Sequence, residues 1–175
     1  MFLLLNGSFG IGKTTVAQVL ESSVAGSRIY NPEDVGFVLR RLPPILLGRT
    51  RLPSDYQDIG LWRKLIVRGA RRAHRGARIV IVPMAFTNLA YFEEFAKGLR
   101  GRGDVQRYCL VAPLDTVRNR LSHRARSEGR ALTDFELQRS AECVAAHADP
   151  LFGTPIDATP PPAEIVAHIR AQAGI

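Results

Sequence analysis

Residues 7–14 read Gly7-Ser8-Phe9-Gly10-Ile11-Gly12-Lys13-Thr14, which fits the spacing G-x-x-x-x-G-K-[ST] of a phosphate-binding P-loop. The stretch follows the apolar run Phe2-Leu3-Leu4-Leu5 and precedes Thr15-Val16-Ala17-Gln18-Val19-Leu20, which has helical spacing. Glycines there permit positive φ and let backbone N–H groups converge on phosphate oxygens, and the helix start adds its positive dipole end. Lys13 is placed to reach β- and γ-phosphates, and the Thr14 hydroxyl to sit on Mg²⁺. The expected cofactors are therefore ATP and Mg²⁺, held by Gly7, Ser8, Phe9, Gly10, Ile11, Gly12, Lys13, Thr14 and Thr15.

Phosphoryl transfer also needs a group to take the acceptor's proton and positive charge for the equatorial oxygens. Glu33 and Asp34 follow the second predicted strand and are candidates for the first task, or for ordering a magnesium-bound water. Both would equally suit the dipole of the helix they begin. The third strand ends Val82-Pro83-Met84 and carries no Walker-B aspartate. Magnesium is left to Thr14, phosphates, waters and one of those acids. Arg118, Arg120, Arg124 and Arg126 crowd one later helix, where Arg120 and Arg124 share a face and could close over the transferring phosphate as a lid. His74, His123, His147 and His168 have no motif partners, and the cysteines form no nucleophile arrangement.

The elements that must position these groups alternate. Strands are expected at 2–6, 28–30, 78–82, 105–111 and 154–157, with Pro83-Met84 ending the third. Helices are expected at 13–23, 31–42 with Asn31 as N-cap, 61–75, 88–100, 114–126, 133–147 with Thr133 as N-cap, and 163–173. Ile45 to Gly60 has no sustained period and reads as a loop or broken helix over one edge of the site. Strands separated by helices imply an α/β fold with a parallel sheet, and ligands then gather at the strands' carboxyl ends.

The chain has 175 residues, 46% of them apolar, which suits one domain. No apolar run is long enough for a membrane span. Cys109 and Cys143 read as reduced thiols, so the chain is expected in the cytoplasm. The net charge of +8 is carried almost wholly by arginine, since lysine occurs only at 13, 64 and 97. On the 61–75 helix, Arg68, Arg71, Arg72 and Arg75 line a face without interleaved aromatics. That argues for a solvated surface and against nucleic acid as partner.

Several stretches together resemble the tunicamycin-resistance proteins, a group of P-loop kinase-like ATP-binding proteins. They are Leu5 to Thr14, Asn31-Pro32-Glu33-Asp34-Val35-Gly36-Phe37-Val38-Leu39-Arg40, Asp55-Tyr56-Gln57, Leu61-Trp62-Arg63, and Ile81-Val82-Pro83-Met84. The resemblance implies a P-loop NTPase fold like that of nucleoside monophosphate kinases and chloramphenicol phosphotransferase. Its five-stranded sheet would run 2-3-1-4-5, with a lid at about 118–132 after strand four and a substrate-gripping insertion at about 33–63. It also implies ATP binding and protection against a uridine-containing nucleoside antibiotic. One departure stands out: related phosphotransferases commonly place a catalytic aspartate directly after strand two, where this chain has Asn31. Either Glu33 or Asp34 substitutes, or the protein binds without catalysing.

The resulting expectation is a monomeric or homodimeric kinase-like protein that phosphorylates a hydroxyl of a small nucleoside-type compound. Lys13, Glu33, Asp34, Arg120 and Arg124 are the catalytic candidates. Arg40, Asp55, Trp62, Arg63 and Met84 are candidates for the acceptor pocket, with Trp62 offering a stacking face for a base. The alternatives are a sequestering protein that turns over little and a kinase acting on nucleic-acid ends.

Overall fold

In a computed structural model, which describes residues 1–47 and 55–175, the apolar runs form five strands. They are β1 (Phe2–Gly7), β2 (Ser27–Ile29), β3 (Ile79–Met84), β4 (Val105–Val111) and β5 (Thr154–Asp157). All pairings are parallel and the order is β2-β3-β1-β4-β5, the order that the resemblance implied. β1 and β3 are buried along their whole length, which is why both read as continuous apolar runs without alternation.

Among the described residues seven helices cover the sheet: α1 (Lys13–Ser23), α2 (Pro32–Arg40), α3 (Gly60–His74), α4 (Leu89–Arg100), α5 (Leu114–Ser127), α6 (Asp134–Ala146) and α7 (Pro162–Ala173). Successive strand residues face opposite ways. Leu3, Leu5, Ile79 and Ile81 thus pack with Val16 and Leu20 of α1, Val117 and Leu121 of α5, and Ile165 and Ile169 of α7. Phe2, Leu4, Val80 and Val82 pack on the other side with Trp62 and Ile66 of α3 and Phe92 and Phe95 of α4.

Two expectations need correcting. β3 does not stop before Pro83 but runs through it to Met84, in register with Leu5 and Asn6 of β1. The Ile81 carbonyl accepts from Tyr30 N, so Ile81 directs its backbone groups toward β2, and Pro83, two residues on, faces the same way. β2 has ended by then, so no neighbour requires the N–H that proline lacks. α2 ends at Arg40, short of the expected Leu42. Of the 45–60 stretch, 3-10 turns occupy Pro44–Leu47 and Tyr56–Asp58, and 48–54 lie outside the described residues.

Candidate active site

The loop after β1 begins from backbone geometry that only glycine takes easily. Gly10 has φ +74°, and a Cβ there would lie 2.5 Å from Leu121 Cγ, so the loop can lie against α5 only if this residue has no side chain. Gly12, at φ +103°, turns the chain into α1. No side chain caps α1 and no acid occupies its first turn, which leaves its N-terminal N–H groups and dipole to an external anion. Lys13 folds back over the loop and donates from Nζ to the Ser8 carbonyl at 2.8 Å. Burial pulls its ammonium below the usual lysine value, and the negative charge of Glu33 opposes that shift.

The loop forms the floor of a cavity of about 730 Å³. Phe9 to Gln18 line it from one side, Asn31, Glu33 and Pro83 from the ends of β2 and β3, and Arg120 and Arg124 from α5. The remaining wall, Ala158, Pro160, Pro162 and Ile165, belongs to the turn into α7 and to α7 itself. Arg120 spans the cavity's side: Nη1 donates to the Ile11 carbonyl at 3.0 Å and Nη2 to the Thr159 carbonyl at 3.4 Å. Exposed N–H groups, an ammonium and two guanidiniums suit a polyphosphate. Gly7 and Ser8 stand behind this surface. Gly7 closes β1, and Ser8, 1% exposed, donates from Oγ to the Ser140 carbonyl of α6 at 3.3 Å.

The structure separates the two acids after β2. Asn31 Oδ1 accepts from Glu33 N at 3.1 Å, capping α2, and its Nδ2 donates to Asp34 Oδ1 at 3.1 Å. Asp34 is thereby turned outward and exposed, and it lines neither cavity. The Glu33 carboxylate has no hydrogen-bond or ion-pair partner among the described residues, and it faces both the first cavity and a second.

That second cavity, about 420 Å³, is lined by Phe9 and Glu33 together with Phe37 and Arg40 of α2, Asp55, Tyr56 and Gln57, and Phe135, Gln138, Arg139 and Glu142 of α6. Asp55 caps the 56–58 turn by accepting from Gln57 N at 2.9 Å, and it is ion-paired with Arg139. Arg139 also reaches Glu142 Oε2 at 3.1 Å. Arg40 lies over the Tyr56 ring, 5.1 Å from its centroid. Gly36 allows this packing, because a Cβ there would fall 2.9 Å from Tyr56 Cδ1.

Of the five residues expected in the acceptor pocket, Arg40 and Asp55 line this second cavity and three do not. Trp62 is fully buried; its Nε1 donates to the Pro32 carbonyl at 3.2 Å and its ring packs against Tyr56 and Phe86. It offers no face to a base, because the period that aligns it with Ile66 and Ala70 turns all three toward the sheet. Arg63 instead reaches Glu94 at 2.7 Å and the Gln57 carbonyl at 2.8 Å and lies over Tyr91. Met84, 2% exposed, belongs to the core. Gln57 Nε2 in turn donates to the Ala85 carbonyl at 3.0 Å, so the motifs around residues 31–40, 55–57, 61–63 and 81–84 brace one another beneath the cavity.

Sequence reasoning missed the α6 wall and the 158–162 turn. Phe135, Gln138, Arg139 and Glu142 recur at i, i+3, i+4 and i+7, a helical face that the sequence shows but does not aim. A buried contact set does the aiming. Asn6 exchanges two hydrogen bonds with the backbone of Phe86, and His147, at the end of α6, donates from Nε2 to the Phe86 carbonyl at 2.7 Å. Burial pulls the His147 pKa down to about 4, so the ring is neutral, and its buried Nδ1 has no partner.

No protein-family model and no curated protein sequence matches the chain. Among solved structures, the tunicamycin resistance protein of Deinococcus radiodurans is similar over 99% of this chain and 96% of its own, with 26% identity and a TM-score of 0.76. A sugar kinase from a Janibacter species matches at 20% identity, covering 99% and 94% of the two chains with a TM-score of 0.71. A gluconokinase from Sinorhizobium meliloti matches at 20% identity over 98% and 90%, with a TM-score of 0.68. The fold is that of the P-loop kinases. Two adjoining cavities, one floored by the glycine-rich loop, are what the described residues place at the carboxyl ends of the strands. No helix among the described residues is long and apolar enough to cross a membrane.

Proposed function

We propose that the chain is an ATP-dependent, kinase-like resistance protein that binds an uncharged nucleoside antibiotic of the tunicamycin type and phosphorylates one of its hydroxyls. The observation that carries this reading is the position of Glu33, whose carboxylate is unpaired among the described residues and borders both cavities. The phosphates of ATP would lie on the loop and the start of α1, with Lys13, Arg120 and Arg124 balancing charge. Among the described residues no three His, Cys, Asp or Glu side chains gather as a metal cluster. Magnesium would therefore be held by the Thr14 hydroxyl and phosphate oxygens, where it neutralises charge on the triphosphate. The acceptor hydroxyl, seated in the second cavity, loses its proton to Glu33 as its oxygen bonds Pγ and the bond from Pγ to the β-phosphate oxygen breaks, releasing ADP.

The second cavity's lining supports an uncharged acceptor. Among the described residues it presents three carboxylates, Glu33, Asp55 and Glu142, against two guanidiniums, of which Arg139 already answers Asp55 and Glu142. An anionic acceptor would meet net repulsion there. Phe37 and Phe135, 53% and 61% exposed, offer ring faces to a base or other apolar group. In this reading 118–132 forms the lid and 33–63 the acceptor-gripping insertion of one domain.

One observation favours a second reading, sequestration without turnover. Asn31, at the start of α2, has both amide atoms committed to that helix, and an amide there supplies no base. Incubation with ATP, Mg²⁺ and tunicamycin followed by mass spectrometry separates the two. A mass gain of one phosphate on the antibiotic supports the kinase, whereas antibiotic that stays bound and unmodified supports sequestration.

A further inference from the structure

Arg124 lines the first cavity, yet it is held from behind. Its Nη2 lies 3.2 Å from Glu136 Oε1, and its Nε lies 3.7 Å from Glu128 Oε1. The same Glu136 carboxylate accepts two hydrogen bonds from Arg130, Nη1 to Oε2 and Nη2 to Oε1, each 2.8 Å. It also closes the capping box of α6, accepting from Thr133 N at 3.1 Å and from Thr133 Oγ1 at 3.0 Å. Arg130 Nε reaches Glu128 Oε2 at 2.7 Å, which completes a ring of two carboxylates and two guanidiniums around the α5–α6 turn. Glu136 is its least exposed member, with a side chain 14% accessible against 48% for Arg124 and 47% for Glu128. Pairing with Arg130 above all holds its pKa down to about 2, so it is charged at any working pH.

We propose that Glu136 is a positioning residue that aims the Arg124 guanidinium at the terminal phosphate of a nucleoside triphosphate in the first cavity. With Nη2 engaged by Glu136, Arg124 keeps its Nη1 donors for phosphate oxygens in a fixed direction. The anchor sits on α6, whose next turns carry Gln138, Arg139 and Glu142 into the second cavity. The cation of the nucleotide site is thus referenced to the wall of the acceptor site.

The inference rests on reading Arg124 as a phosphate ligand, and the test keeps the two apart. Glu136→Gln preserves an acceptor for the cap while removing the charge that grips Arg124. Loss of a negative charge beside a polyanion site would by itself tighten ATP binding. Loss of aim does the opposite. Mg·ATP and Mg·ADP affinities are measured by calorimetry for wild type, Glu136→Gln, Arg124→Ala and the double variant, with melting temperatures alongside. The expected result is an ATP-over-ADP preference about fivefold lower in Glu136→Gln and about tenfold lower in Arg124→Ala. The double variant should be no worse than Arg124→Ala, and Glu136→Gln, which loses the Arg130 pair and melts lower for it, should still be folded at the assay temperature. A preference in Glu136→Gln that is unchanged or raised, while Arg124→Ala lowers it, overturns the positioning role. A preference unchanged in Arg124→Ala removes Arg124 from the phosphates, and the proposal falls with it.

Discussion

The larger cavity is floored by one contiguous stretch, residues 9–18, which holds the uncapped start of α1. The smaller one gathers side chains from α2, the 55–57 segment and α6, elements separated by as much as a hundred residues of chain. The first surface is therefore set by local conformation, by Gly10 and Gly12 and an uncapped helix start. The second exists only once α6 is docked, through Ser8 on the Ser140 carbonyl, His147 on the Phe86 carbonyl and the Arg139 pair with Asp55. Phosphate binding on the loop should accordingly tolerate damage to the face of α6 that carries Gln138, Arg139 and Glu142, with Glu136 as the α6 contact that reaches the nucleotide side through Arg124, whereas acceptor binding should not survive undocking.

The comparison can be broken most severely at Lys13. Lys13→Ala is expected to weaken Mg·ATP binding and to lower any turnover about 10³-fold, while acceptor binding measured without nucleotide stays near wild type. Equal losses of both affinities would show that the cavities are not separately built. Glu33→Gln should lower phosphorylation about 10²-fold with both affinities held within about threefold, because the residue borders each cavity but anchors neither. A turnover unchanged in that variant would remove Glu33 as the base.

The join between the regions should respond to acid. The unfolded His147 takes up its proton near pH 6.5, but the buried ring does so only near 4, so between these values the unfolded state binds more protons and stability falls as pH falls. From pH 7 to about 4.5 the loss should be on the order of 2–3 kcal/mol, read from urea midpoints. His147→Gln should flatten that slope, and an identical slope in the variant would place its origin elsewhere. At the small end, Asp34→Asn should change affinities and turnover by less than about twofold, since its carboxylate turns outward to Asn31. A loss as large as that in Glu33→Gln would reverse the assignment of the two acids.

Legibility in the sequence follows the same division. The loop, the buried strands and the Asn31 and Thr133 caps are local facts, and all were readable from residue type and spacing. Glu33 and Asp34 both stayed candidates, with Glu33 placed first, because adjacent residues share most sequence signals and the amide of Asn31 decides which one turns away. Trp62 shows a signal read two ways: its period with Ile66 and Ala70 already implied burial, and that burial excludes the stacking role expected of it. Pro83 misled because its local rule depends on where β2 stops. The α6 wall was invisible for a like reason, since a helical face gains its meaning from the surface that it meets.

The central claim is that Glu33 stands where two substrates meet. A crystal structure with Mg²⁺, a non-hydrolysable ATP analogue and tunicamycin tests it most directly. The account predicts the triphosphate on the loop, the antibiotic between α2 and α6, and one of its hydroxyls within hydrogen-bonding reach of Glu33 and in line with the γ-phosphate. Antibiotic bound away from the second cavity, or seated there with every hydroxyl remote from Glu33, would contradict it.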